Sequence, residues 1–180
     1  MNYIVLDLEA TCWKEKGKST NEIIEIGALC IDQNGNTLDE YCTFIKPTLN
    51  PILSDFCTEL TTIEQDDVDT APLFPDALYD FLDWIESFGD AYYLCSWGFY
   101  DRTQFKKDCN LHGLDTSWLK QHISLKHQYA DIHNLSRPIG MKGALQREHI
   151  SMDGTHHRGI DDARNIAKIF VQNLEYWTFK

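Results

Sequence analysis

Apolar positions along the chain change their period several times. Residues 3–8 (YIVLDL) are apolar on both faces up to Asp7, the pattern of a central strand covered on two sides. After a polar loop, residues 22–32 (EIIEIGALCID) predict a second strand and the QNGN at 33–36 a hairpin turn. Residues 37–47 alternate as a third strand that Pro47 stops, so the first three strands form an antiparallel meander. Short helical pieces follow at 51–60 and 61–68. In residues 74–89, Phe74, Ala77, Leu78, Phe81, Leu82, Ile85 and Phe88 recur at helical spacing, with Pro75 in the first turn and Gly89 just past the end.

A buried strand over 91–98 (AYYLCSWG) and a helix over 100–113 come next. Residues 127–135 (HQYADIHNL) are ambiguous and are taken as an edge strand or a strand-to-helix passage. The last helix carries Ala163, Ile166, Ala167, Phe170, Val171, Leu174 and Trp177 on one face. Three antiparallel strands followed by alternating helices and strands imply an α/β fold, with a mixed central sheet flanked by helices. Neither a linker nor an internal repeat divides residues 1–180, which are expected to form one domain.

Composition narrows the class. An apolar content of 43% supplies a core, and no apolar run is long enough to cross a bilayer, so no membrane partner is expected. Six scattered cysteines without a C-x-x-C pair argue against a zinc knuckle. No signal segment opens the chain, so a disulfide scaffold is not expected and the cytoplasm is. A net charge of −12 disfavours binding of nucleic acid by a broad basic surface. It turns informative only where acids gather to hold cations.

Asp7 and Glu9 are the first sign of that. Separated by two positions on a strand, they project from one face. Two carboxylates about 5 Å apart repel by roughly 3 kcal/mol at an effective dielectric near 20. A solvent-exposed strand end, a protonated acid or a bound cation each relieves this. Asp101 follows the fourth strand at a helix start, and Asp162 lies in the first turn of the last helix. Aspartates there are also favoured as caps and by the helix dipole, the reading expected of Asp161. Four carboxylates at a strand end and adjoining helix starts suit Mg²⁺ or Mn²⁺, and the chain offers no matching Cys/His set for zinc. His157 stands five residues before Asp162, across a Gly159 expected to let the chain turn into the helix. Its imidazole is matched to taking a proton from water at neutral pH. Two metals there suit an in-line phosphoryl displacement.

The segments DLEATC (Asp7, Glu9), SWGFYD (Asp101) and HHRGIDDARNIA (His157, Asp162) resemble the DEDDh group of DnaQ-like exonucleases. LSDFCTELTTIEQDDVDTAPLFPDAL and GTHHRGIDDARNIA look like its KapD-like branch, which includes the eukaryotic 3′ exonuclease of histone mRNA ends. The resemblance implies a ribonuclease-H-like fold and a 3′→5′ exoribonuclease that releases nucleoside 5′-monophosphates. It implies two Mg²⁺ or Mn²⁺ on Asp7, Glu9, Asp101 and Asp162, with Glu9 and His157 catalytic and His157 the general base ahead of His156. Phe56 matches a base-stacking position and Tyr100 a tryptophan of the histone-mRNA enzyme; Thr11 is expected near the terminal sugar. Arg158 and the loop of Lys14, Lys16 and Lys18 are candidates for phosphate contacts. Thr62 stands where similar sequences carry glycine, so the turn there is expected to differ. An extra N-terminal nucleic-acid-binding module is missing, so the expected partner is single-stranded nucleic acid, RNA ahead of DNA. Two readings stay open: the same chemistry on single-stranded DNA, and an idle nucleic-acid-binding protein. Nothing in the pattern sets the oligomeric state.

Overall fold

The computed structural model describes residues 1–179 apart from Lys16, Lys18 and Asp90. Five strands form one mixed sheet: β1 (Asn2–Ala10), β2 (Ile23–Ile31), β3 (Thr37–Phe44), β4 (Tyr92–Ser96) and β5 (His122–Ser124), in the order β3-β2-β1-β4-β5. β1, β2 and β3 run antiparallel, while β4 and β5 add in parallel beyond β1. The antiparallel meander is thus as the alternation predicts, and the doubly apolar β1 is the central strand.

Helices α1 (Asp55–Thr61), α2 (Gln65–Asp69), α3 (Phe74–Glu86), α4 (Tyr100–Leu111), α5 (Leu125–Ile132), α6 (Met141–Arg147) and α7 (Gly159–Gln172) connect and cover the sheet. Even-numbered residues of β1, Ile4, Leu6 and Leu8, pack with Phe81 of α3 and Phe105 of α4. Odd-numbered Tyr3 and Val5 pack with Ile166 and Phe170 of α7 and with residues of α5 and α6. Two buried faces explain why β1 reads as nearly unbroken apolar sequence.

Three expectations change. Residues 127–135 are not strand: β5 lies just before them, and α5 covers most of them, with Tyr129 and Ala130 buried. The pattern misleads because a three-residue strand runs directly into a helix. α6 was not anticipated, although Met141, Ala144 and Leu145 carry i, i+3, i+4 spacing and are buried. α7 ends at Gln172; Leu174 sits in a short 3₁₀ turn, and Trp177 folds back to donate its indole N–H to the Phe170 carbonyl at 2.8 Å.

β2 and α7 touch backbone to backbone. A Cβ at Gly27 would overlap the Ile160 backbone nitrogen and the Gly159 carbonyl carbon. A Cβ at Gly159 would lie 3.2 Å from the Asp7 carbonyl oxygen and 3.3 Å from the Gly27 nitrogen. Gly27 is also the partner of Asp7 in the β1–β2 register. The head of α7 therefore rests directly over Asp7. Glu25, fully buried, fastens it there: one of its oxygens accepts the Gly159 N–H at 2.9 Å and pairs with the Arg158 guanidinium at 3.2 Å.

Helix α1 is closed at its start by Ser54, whose hydroxyl accepts the Cys57 N–H, and at its end by Thr62 in the left-handed region, φ 61° and ψ 14°. The turn is the one a glycine makes, held instead by a β-branched residue at a cost of about 1–2 kcal/mol. Thr62→Gly should raise the unfolding free energy by about 1 kcal/mol in a denaturant titration, with an unchanged slope. Gly27→Ala should do the reverse, costing about 3 kcal/mol or more, because neither backbone can yield.

Candidate active site

Along the α7-facing row of β1 the side chains run Tyr3, Val5, Asp7, Glu9. The first two belong to the core, and the next two are acids at the C-terminal end of the strand. Asp162 descends onto them from the first turn of α7. Carboxylate oxygens of Asp7, Glu9 and Asp162 lie within 4.8 Å of one another. Asp101 arrives from a different direction. β4 runs parallel to β1, so the start of α4 falls at the same edge of the sheet, and Asp101 reaches across to accept the Leu8 N–H at 3.2 Å. Glu9, Asp101 and Asp162 are almost fully buried.

Burial pushes the Asp7 carboxyl well above its usual range, and Asp101, Glu9 and Asp162 push it further. Burial, then Asp162 and Glu25, raise Glu9 to about 8. Asp101 rises to about 6 through burial, held back by hydrogen bonds from the Ser96 hydroxyl and the Leu8 N–H. Among the described residues no lysine or arginine forms an ion pair with any of the four acids. A crowd of hard oxygen donors without a lysine or arginine to compensate it is a donor set that could hold a divalent metal.

The two histidines approach this cluster differently. The His156 Nδ1 lies 2.9 Å from Asp162 Oδ2, while the His157 backbone N–H donates to the same oxygen at 3.0 Å. The rings are 3.9 Å apart, and ring nitrogens of both lie within 4.8 Å of the Asp162 carboxylate. Burial lowers the pKa of His157, and neighbouring His156 lowers it further. The turn into α7 is made by His157 at φ 66°, not by Gly159, whose lack of a side chain serves the contact with β2.

The acids and histidines line a cavity of about 550 Å³ together with Leu60, Trp97 and Lys142. Tyr100 lines it with its side chain 54% exposed. Phe56 lies outside the lining on α1 and is 37% exposed, too open for a core residue. Thr11 is not brought to the cavity: it is buried, and its hydroxyl accepts the Glu22 N–H at 2.9 Å. Arg158 is engaged by Glu25 and stands 5.2 Å over the Phe44 ring, so it is not free for phosphate. Lys14 is exposed, and Lys16 and Lys18 lie outside the described residues. Asp161 lies in the first turn of α7, where its charge suits the helix dipole, but it makes no cap bond; it accepts the Thr155 N–H at 2.8 Å, bracing the loop that carries the histidines. The sequence reading missed Lys142, Trp97 and Leu60 as cavity residues. Lys142 was legible through the buried spacing of α6 around it, whereas Leu60 and Trp97 carry no chemical signal of their own.

With this geometry in place, comparison with known proteins is direct. The model of the RNase_T family, described as exonuclease, matches residues 4–170. ERI1 exoribonuclease 2 of Xenopus laevis is 36% identical over 92% of this chain, and human 3′-5′ exoribonuclease 1 is 34% identical over 95%. The chain spans 27% of the frog protein and 52% of the human one. The nuclease domain of 3′hExo, a DEDDh family member bound to rAMP, superposes with a TM-score of 0.90 at 30% identity, over 97% of this chain and 92% of that one. A 3′-exonuclease that recognises the histone mRNA stem-loop superposes at 0.92 with 28% identity, covering 97% and 81%. Exonucleases of the DEDDh class depend on divalent cations. On the match over residues 4–170, carrying its acids and histidines in the order described, this chain belongs to the exonuclease family, in the DEDDh group.

Proposed function

We propose that the chain is a metal-dependent 3′→5′ exoribonuclease that removes nucleoside 5′-monophosphates from single-stranded 3′ ends. The observation that carries this reading is the convergence of Asp7, Glu9, Asp101 and Asp162 in one buried, cation-poor cavity beside His157. The similarity to 3′-5′ exoribonucleases over more than nine-tenths of the chain supports it.

The four acids are the groups that would hold two Mg²⁺ or Mn²⁺. Bound cations supply the positive charge that stabilises the attacking and leaving oxygens of a phosphodiester displacement. His157 is the general base. Its lowered pKa keeps the imidazole neutral at neutral pH, so a ring nitrogen is free to take the proton of the attacking water. Glu9, crowded by Asp162 and Glu25, would serve beside it as a catalytic metal ligand. His156 holds Asp162 in place from the other side.

Substrate grip falls to aromatic faces. Tyr100 presents an open ring beside Asp101, and Phe56 presents one on α1; stacking is worth about 1–3 kcal/mol per base and tolerates any sequence. RNA is favoured over DNA on the names of the relatives. Free thiols at all six cysteines fit a reducing cytoplasm.

Incubation with 5′-labelled single-stranded RNA and Mn²⁺ should give a ladder that shortens one nucleotide at a time from the 3′ end and disappears with chelator. Intact RNA under every metal condition would reject the reading, and faster loss of matched DNA would transfer it to DNA. His157→Ala should slow the ladder by about 10²–10⁴-fold. Asp7→Asn removes one of the crowded charges. In chelator its thermal unfolding midpoint should match or exceed that of the parent, while the stabilisation by Mn²⁺ and the hydrolysis are both lost.

A further inference from the structure

Two thiols meet at the wall of the acidic cavity, and the chemistry proposed above uses neither. Cys12 follows β1 and lines the cavity; Cys57 lies in α1 and is fully buried. Both pack in a small apolar cluster with Ile24, Leu53, Ile63 and Val68. The Ser54 hydroxyl ties their backbones together, donating to the Cys12 carbonyl at 2.6 Å and accepting the Cys57 N–H at 3.1 Å. The Cys57 thiol donates to the Ala10 carbonyl at 3.7 Å, and the Cys12 thiol is in hydrogen-bonding contact with the Cys57 sulfur. That contact lowers the Cys57 thiol to about 7 and pushes the Cys12 thiol far up, so the negative charge of the pair falls on Cys57.

We infer that Cys12 and Cys57 form a modification site, a reversible disulfide made by exchange with a low-molecular-weight disulfide, which closes the wall of the cavity against nucleotide. Cys12 is partly exposed and is the sulfur a reagent reaches first. Cys12 passes its proton to the Cys57 thiolate as its sulfur attacks one sulfur of oxidised glutathione, forming a mixed disulfide and expelling one glutathione thiolate. The Cys57 sulfur then attacks the Cys12 sulfur, breaking the mixed disulfide; the second glutathione leaves with the Cys57 proton. Two protein thiols are oxidised, and one glutathione disulfide is reduced to two thiols.

The consequence follows from what α1 carries. Replacing a hydrogen-bonding contact by a covalent bond draws α1 toward the end of β1. Phe56 precedes Cys57, and Leu60, one turn later, lines the cavity. Displacing such groups by about 1 Å is enough to cost about 100-fold in a precisely held site. This effect rests on the nuclease reading; the bond itself does not.

The test treats the fully reduced chain with oxidised glutathione, digests it without reductant and maps the peptides by mass spectrometry. In parallel it measures adenosine 5′-monophosphate binding in Mn²⁺ and RNA hydrolysis. A Cys12–Cys57 cross-link is expected, with nucleotide affinity reduced about tenfold or more and restored by dithiothreitol. Cys42→Ser, which removes the exposed thiol of β3, should behave as the parent, and Cys12→Ser should form no cross-link and show the same affinity before and after treatment with oxidised glutathione. Free thiols at both positions, or glutathione retained on Cys12 with Cys57 unreacted, would overturn the inference. A cross-link that leaves nucleotide affinity unchanged would overturn it too. Reduced protein that neither binds the nucleotide nor cuts RNA would sink the nuclease reading instead, and the peptide map would then decide the disulfide alone.

Discussion

The contact between two glycine backbones, Gly27 in β2 and Gly159 at the head of α7, sets the distance on which the site depends. Helices usually stand off a sheet by the length of their side chains. Here the first turn of α7 comes down onto the peptide planes beside Asp7. A carboxylate side chain is short, so Asp162 meets Asp7 and Glu9 only because the helix that carries it sits so low. Glu25 makes the position stable from beneath by taking the first N–H of the helix and neutralising Arg158. One buried acid is thereby matched with an arginine, whereas among the described residues no lysine or arginine pairs with the four facing the cavity.

That contrast divides the acids of the protein into two kinds. Glu22 and Glu25 are as buried as the cavity acids, yet they are surrounded by donors: Glu22 accepts the Thr48, Leu49 and Asn50 N–H groups, and Glu25 has Gly159 and Arg158. Such carboxylates build structure. Asp7 and Glu9 have acids as their nearest charged neighbours and are driven toward the protonated form. Unpaired, they destabilise the fold, and a positive charge brought to them would convert that destabilisation into binding affinity. A protein stable by only about 5–15 kcal/mol can carry the strain because the two apolar layers on either side of β1 hold the strand independently of the acids.

Much of this was written in local pattern. The meander, α3, α4 and α7 follow from periodicity; Asp7, Glu9, Asp101 and Asp162 follow from acids placed where strands end and helices begin, and His157 from its spacing before Asp162. What the pattern hid depends on tertiary distance. Nothing local separates Glu25 from Glu9, since both lie on strands and are paired in register. Glycine usually signals a turn, so Gly159 is expected to let the chain turn into the helix, yet the turn falls on His157 and the glycine is needed for proximity. Thr11 looked like a site residue by its distance from Glu9, but the chain leaves the sheet there and buries its hydroxyl against Glu22. Thr62 is the converse case, where a substitution for glycine left the left-handed turn intact.

The overall charge of −12 and the nucleic-acid reading are reconciled by where the arginines are placed. Arg158 is tied to Glu25, and Arg164 to Glu40 and Asp161, so both serve the fold and neither projects into the cavity. Lys142 is the cavity's own cation. A surface of this kind gives little hold on the continuous backbone of a duplex, whose affinity comes from many phosphates neutralised together. On the proposed function it suits a single terminal phosphodiester, where cations would supply the charge within one cavity and the open ring of Tyr100 would supply contact that does not depend on phosphate. The acidity that argues against broad nucleic-acid binding is thus compatible with cutting at an end, because an exonuclease needs its positive charge at one point only.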